Sequence, residues 1–198
     1  MISWLVVDLG GVAASYRPEN RLAALAEVTG LLPNEIHDRL FSSGLDEAAE
    51  SGFFTKESIT QELLRCLDNR LDKLQVIDCW SQAFEPNLEL LELLSAQTVP
   101  RCLFTNNGPM IDLCLEGPLA LLRSRFDRTV CSWHTKARKP DTAAFDYVAN
   151  TLRVPPSELL LIDDDIRNIT AATQAGWAAH HYTTLEKLRL AIGSRLAP

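Results

Sequence analysis

The sequence predicts an α/β fold, in which a parallel, Rossmann-like sheet alternates with helices and is interrupted after its first strand by an all-helical insertion. Three observations carry this reading. Short apolar runs rich in β-branched residues recur at 2–7, 99–104, 129–131, 159–162 and 177–182, the pattern of strands buried on both faces. Amphipathic stretches of helical length separate the later runs, which favours right-handed crossovers and a parallel sheet. Between the first run and the second, 15–85 carries helical periodicity and no convincing strand.

In chain order, strand Ile2–Val7 comes first, and Gly10-Gly11 gives the chain freedom to turn sharply over whatever binds at Asp8. Leu22, Leu25, Ala26 and Thr29 share one helical face that Gly30 terminates. Ile36, Leu40 and Phe41 mark a second helix. After the Ser51-Gly52 break, Ile59, Leu63, Leu64 and Leu67 mark another, and Leu71, Leu74 and Ile77 continue the block. Pro86-Asn87 ends it. Helices over 88–96, 109–115, 142–152 and 166–175 then separate the remaining strands. Residues 1–14 and 86–198 therefore form the expected core, with 15–85 as a helical cap over the strand ends.

Composition narrows the function classes. A chain of 198 residues, 46% hydrophobic and 23% charged, suits one α/β domain with a small insertion and a substantial core. Nineteen basic against twenty-six acidic residues give a net charge of −7, which argues against a broad nucleic-acid or anionic-membrane footprint. A small molecule is the expected partner; oligomeric state is left open. The first apolar run is too short for a signal peptide or a membrane span, so cytoplasmic residence is expected. Cys66, Cys79, Cys102, Cys114 and Cys131 form no Cys-x-x-Cys pair, lie mostly within apolar stretches and read as free buried thiols.

Four distant segments carry the chemistry: Val6-Val7-Asp8, Leu103-Phe104-Thr105-Asn106, Arg138-Lys139-Pro140-Asp141 and Leu161-Ile162-Asp163-Asp164-Asp165. Parallel strands collect their carboxyl ends along one edge, so these residues can meet in one crevice. Each segment also has a plainer reading. Asp8 before glycines and Thr105-Asn106-Asn107-Gly108-Pro109 are good turn chemistry, Pro140 suits a first helical turn, and Asp165 suits an N-cap. Three adjacent carboxylates exceed what a cap requires, and their repulsion is costly unless a cation offsets it.

Taken in order, these segments resemble the four motifs of the haloacid dehalogenase (HAD) superfamily of hydrolases, in its Asp-Leu-Gly-Gly-Val branch with a helical cap. Asn168, Ala171, Ala172 and Gly176 extend the fourth motif, and Glu50-Ser51-Gly52-Phe53-Phe54-Thr55 resembles a stretch common within the cap. The resemblance implies a magnesium-dependent phosphatase acting on a small phosphorylated metabolite, a sugar 1-phosphate among the candidates, through an aspartyl phosphate on Asp8. It assigns Mg²⁺ to Asp8, Asp164 and the Gly10 carbonyl, with Asp163 behind them orienting a ligand or Lys139. Thr105 and the Asn106 amide would bind the phosphoryl oxygens, and Lys139 would pair with nucleophile and phosphate.

Two departures accompany the resemblance. Most phosphatases of this family carry an acid–base aspartate two residues after the nucleophile, where this chain has Gly10. That favours substrates with stable leaving groups, and leaves Tyr16 or His134 as surrogate acids. Lys136 stands where relatives often have glycine, and is expected to be solvated. Arg17, Arg39, Phe53 and Phe54 are further candidates for contact with substrate, whereas His180-His181 reads as a surface pair. The alternatives are a 2-haloacid dehalogenase, against which Gly10 and the carboxylate trio argue, and a non-catalytic or regulatory phosphate-binding protein of the same fold. A phosphoreceiver domain fits neither the length nor the motif order.

Overall fold

The structure, a computed structural model, describes residues 1–196. Its centre is a five-stranded parallel sheet built from β1 (Trp4–Val7), β4 (Arg101–Thr105), β5 (Arg128–Cys131), β6 (Leu159–Asp163) and β7 (Ala178–His181), in the order β5-β4-β1-β6-β7. The two remaining strands, β2 (Ala14–Tyr16) and β3 (Phe84–Pro86), form a separate antiparallel ribbon.

Alternation along the central strands explains why they are apolar throughout. Leu5 and Val7 of β1, Leu103 of β4, and Leu160 and Ile162 of β6 point into one core. Val6, Cys102, Phe104, Leu159 and Leu161 point into the other. Helices α6 (Leu88–Ser95), α7 (Met110–Glu116) and α12 (Leu185–Leu196) contribute Leu90, Leu91, Ile111, Cys114, Leu188 and Ile192 to the first core. The opposite face is covered by α10 (Thr142–Leu152) and α11 (Ile166–Gln174), through Phe145, Val148, Leu152 and Ala172. A sheet sandwiched this way has no polar face, so its strands read as continuous hydrophobic runs.

The stretch between β2 and β3 holds α1 (Pro18–Thr29), α2 (Pro33–His37), a π-helical turn (Asp38–Ser42), α3 (Leu45–Glu50), α4 (Lys56–Cys66) and α5 (Lys73–Ser81). Gly30 ends α1 in the left-handed region at φ 70°, with its amide bonded to the Ala26 carbonyl. Thr55 and Asp72 cap α4 and α5 by accepting the amides of Ser58 and Gln75.

Several local expectations need correction. The ribbon β2–β3 lies at both limits of the block expected to be all-helical: its strands are three residues long and pair Ser15 with Glu85, a non-local contact that leaves no periodic signal. Leu74 is exposed, and Val76, Ile77 and Trp80 fill the buried face of α5. Short α8 (Ala120–Arg123) and α9 (Ser132–Thr135) fall below the length at which periodicity is readable. Five free thiols match expectation, except that Cys66 is half-buried.

The helical segment is seated on the core at α3. A Cβ on Gly108, just after β4, would come within 2.8 Å of the Ala49 Cβ on α3. Gly52, at φ +79°, would bring a Cβ within 2.8 Å of the Trp133 carbonyl on α9. Neither neighbour is a mobile side-chain tip. Gly52→Ala is therefore expected to lower stability by about 1–3 kcal/mol through left-handed strain and displacement of this seat. Denaturant unfolding checks it, and an unchanged midpoint with unchanged slope would show that the contact is not tight.

Candidate active site

Parallel pairing converts sequence distance into proximity. Val7 is level with Leu103 on one side and Ile162 on the other. The residues after these positions therefore emerge at the same sheet edge: Asp8 from β1, Thr105 from β4, Asp163 and Asp164 from β6. Lys139 arrives from the loop before α10 and is 5% exposed. Its ammonium donates to Asp8 Oδ1 at 2.7 Å, Asp163 Oδ2 at 2.6 Å and the Phe104 carbonyl at 2.9 Å. Three donors meet three acceptors, the condition for burying such a charge.

The neighbouring amides hold this arrangement. Asn106 Nδ2 donates to the Lys139 carbonyl at 2.8 Å, and the Lys139 amide returns a bond to Asn106 Oδ1 at 2.9 Å. Asn107 Nδ2 donates to Thr105 Oγ1 at 2.7 Å. Asp163 is wholly buried, and both its oxygens are engaged. Oδ1 accepts Asn168 Nδ2 and the Asp165 amide, while Oδ2 accepts Lys139 and Asn168. Asp164 is exposed, and His181 Nε2 donates to its carbonyl at 2.9 Å. Gly11, at φ +85°, makes the turn beside Asp164, where a Cβ would collide with the carboxylate.

Charge in this corner is unbalanced. Burial is the largest influence on Asp8 and raises its pKa to about 6, against the pull of Lys139 and with the push of Asp163 and Asp164. Burial and Asp163 likewise raise Asp164. Lys139 suffers desolvation too, but Asp8 and Asp163 outweigh it and hold the ammonium above the ordinary lysine range. Asp8, Asp163 and Asp164 each offer an oxygen, all within 4.8 Å of one another. With Asp163 saturated, the carboxylate oxygens still able to ligate a hard divalent cation belong to Asp8 and Asp164.

A cavity of about 240 Å³ opens over these groups. The core side is lined by Asp8, Gly10, Thr105, Asn106, Lys139 and Asp164, and the other side by Tyr16 of β2, Arg21 of α1, and Asp46 and Glu50 of α3. Of the residues assigned to the site by the four motifs, Asp163 alone does not line it, since it lies behind Lys139. Tyr16 does, with its ring 5.2 Å from Phe84.

Other candidates lie elsewhere. Arg39 pairs with Asp68 and lines a different cavity, and Phe53 is 80% exposed. Phe54 also lines that second cavity, and Arg17 is exposed away from both. His134 is not a surrogate acid beside Asp8. Its ring is held between the Cys131 amide at 3.2 Å and Asp112 Oδ2 at 3.0 Å, outside the cavity. Lys136 is exposed and caps α9 at φ 55°, in the left-handed region that favours glycine.

Arg21, Asp46 and Glu50 were missed by sequence reasoning. Arg21 is 2% exposed, its guanidinium 4.0 Å from the Trp80 ring centroid and its Nε bonded to the Trp80 carbonyl. The available signal was an arginine four residues before Leu25, on the apolar stripe of α1. Asp46 and Glu50 stand four apart on α3, hence on one face. Burial is the main cause raising both, with Glu50 reaching about 7.

Comparison with known proteins identifies the family and the fold. The profile of the haloacid dehalogenase-like hydrolases matches residues 19–176. The chain belongs to that family. It is similar over its whole length to a predicted HAD-like family hydrolase from Porphyromonas gingivalis, at 26% identity and TM-score 0.77, covering 99% of that chain. A HAD family enzyme from Bacteroides thetaiotaomicron, in complex with magnesium and inorganic phosphate, shares the fold at 20% identity and TM-score 0.72, over 92% of this chain and 95% of that one. L-2-haloacid dehalogenase from Xanthobacter autotrophicus shares it at 19% identity and TM-score 0.60, over 100% of this chain and 85% of that one. Among curated proteins, drimenol cyclase drtB of Aspergillus calidoustus is 37% identical over 51 residues, which span 26% of this chain and 10% of that protein. The protein is a HAD-like hydrolase with a Rossmann-like core, and no helix among its described residues is long and apolar enough to cross a membrane.

A pH dependence follows from the raised carboxyls. Asp8 rises from 3.8 to about 6 and Glu50 from 4.5 to about 7, so each binds its proton more tightly folded than unfolded. The stability this contributes is complete below the unfolded values and is lost as pH rises through the folded ones. In EDTA, the Tm is expected to climb by a few degrees as pH falls from about 8 to about 5. A Tm that falls over that window would contradict the burial of these groups.

Proposed function

We propose that the protein is a magnesium-dependent phosphatase of small phosphorylated metabolites, working through an aspartyl phosphate on Asp8. The observation that carries this reading is the Lys139 ammonium shared between Asp8 and Asp163 at the strand ends, with Thr105 beside it. The magnesium and inorganic phosphate complex of the Bacteroides thetaiotaomicron enzyme supports it.

The donor set fits the metal: Asp8, Asp164 and the Gly10 carbonyl are the residues that would hold Mg²⁺, which prefers oxygen ligands and keeps several waters. When bound, the ion supplies positive charge against which an anionic nucleophile and an anionic ester can approach. The chain does the rest. Lys139 orients the Asp8 carboxylate and offsets phosphoryl charge, and Thr105 Oγ1 and the Asn106 amide donate to phosphoryl oxygens. Asp163 holds Lys139, and its saturated hydrogen bonding keeps it out of the metal's coordination. Residues 15–85 act as a cap that closes the cavity over the leaving group.

Gly10 favours substrates with stable leaving groups, such as sugar 1-phosphates and acyl or aryl phosphates. A haloacid dehalogenase would share the fold, but the carboxylate trio favours a metal-assisted phosphoryl transfer. Five free thiols suit a reducing cytoplasmic setting.

Asp8→Asn is expected to lower magnesium-dependent turnover of p-nitrophenyl phosphate by about 10³-fold or more while the protein stays folded. Undiminished turnover would sink the assignment. Asp164→Ala should weaken magnesium binding more than Asp163→Asn does. Calorimetric titration decides this, and the reverse order would exchange the two roles.

A further inference from the structure

The cavity has a carboxyl group on its helical wall and lacks one on the loop after β1. Gly10 offers no side chain where most family phosphatases have an acid. Opposite Asp8 and Lys139, α3 presents Glu50, whose side chain is 15% exposed. We infer that Glu50 is the proton donor to the leaving oxygen and the base for the hydrolytic step, taking from the helical segment the task that position 10 cannot perform. The inference rests on the phosphatase reading above.

Placement is the first argument. An in-line displacement puts the leaving oxygen on the side of phosphorus away from Asp8, and so toward the helical wall. The close approaches of Gly108 to Ala49 and of Gly52 to Trp133 flank Glu50 in sequence and fix the end of α3 that carries it. A catalytic acid needs this kind of rigid support.

Its surroundings are the second. Arg138 Nη2 lies 2.8 Å from Glu50 Oε2, close enough for charge pairing, yet Oε2 is buried and has no aligned hydrogen-bond donor. Oε2 is thus closed off against Arg138, and Oε1, which has no hydrogen-bond partner among the described residues, is the oxygen left for a ligand in the cavity. The groups facing Glu50 are Asp46 and Glu47 on its own helix, Arg138 beside Lys139, and Arg21 from α1, with Tyr16 on the same wall. Burial, Asp46 and Glu47 raise its pKa and the two arginines lower it, leaving it at about 7. At that value one carboxyl can give a proton and take one back at neutral pH.

The steps balance. An Asp8 oxygen bonds to phosphorus as the bond from phosphorus to the leaving oxygen breaks, and the Glu50 proton passes to that oxygen, releasing the alcohol and a Glu50 carboxylate. That carboxylate then removes a proton from water, whose oxygen bonds to phosphorus as the aspartyl bond breaks. Inorganic phosphate, the Asp8 carboxylate and protonated Glu50 are regenerated.

The test compares phenyl phosphate, with a basic leaving oxygen, and p-nitrophenyl phosphate, with an acidic one, in the full-length magnesium-supplied protein. Glu50→Gln should lower kcat/KM for phenyl phosphate by about 10²- to 10⁴-fold and for p-nitrophenyl phosphate at least tenfold less. Since the donor must be protonated, wild-type kcat/KM should fall as pH rises through about 7, and this limb should vanish in Glu50→Gln. A Cβ at Gly10 would meet Tyr16 Cβ at 3.4 Å, an ordinary contact, so Gly10→Asp in the Glu50→Gln background should recover phenyl phosphate turnover selectively. Equal losses on both substrates, or an unchanged ratio, overturn the assignment of Glu50 while leaving Asp8-dependent turnover intact. Loss of the Asp8 requirement overturns the phosphatase reading and the role of Glu50 with it. Should Glu50→Gln not fold, Arg138→Ala gives a second measurement: removing the facing cation must move the alkaline limb to higher pH, and a limb that stays in place refutes the proposal.

Discussion

The buried ammonium of Lys139 is the constraint around which the rest of the molecule is arranged. A lysine this far from water is tolerable only if every N–H finds an acceptor and opposite charge stands close by. Asp8, Asp163 and the Phe104 carbonyl meet that demand from three adjacent strands, and Asn106 fixes the lysine's own backbone from two sides. Sheet register and lysine position therefore support each other. Were β6 to slip by one residue, Asp163 would turn to the opposite face and the buried ammonium would lose a charged partner.

The same bonding separates the acidic residues. Asp163, saturated by Lys139, Asn168 and the Asp165 amide, is a fixed structural anion. Asp164, one residue further on, is exposed and carries its backbone carbonyl on His181. Asp165 turns away to cap α11 through the Arg167 amide. Three consecutive aspartates thus hold three distinct environments, and what remains is an excess of negative charge at Asp8 and Asp164 that favours a bound cation.

Above this edge the helical segment adds a second layer of charge, in which Asp46, Glu47 and Glu50 face Arg21 and Arg138. Arg21 lies over the Trp80 ring, and Arg138 ties Glu47 and Glu50 to the loop that bears Lys139. Because Arg138 and Lys139 are adjacent, the position of α3 and that of the lysine are mechanically linked. Close backbone contact at Gly52 and Gly108 makes the link stiff.

The succession of the central strands along the chain and the chemistry at their ends were legible in the sequence. Strands buried on both faces must be apolar throughout, and a parallel sheet brings their carboxyl ends to one edge whatever the intervening length, so Asp8, Thr105, Lys139 and Asp164 could be grouped from motif order. Tertiary structure decided what faces them. Tyr16, Arg21, Asp46 and Glu50 reach the cavity through a three-residue ribbon, a stacked arginine and two glycine contacts, while His134, Arg39 and Phe53 are carried away from it. Those outcomes depend on pairings between residues far apart in the chain, which periodicity cannot register because it records only which face of an element is apolar, and not what that face meets.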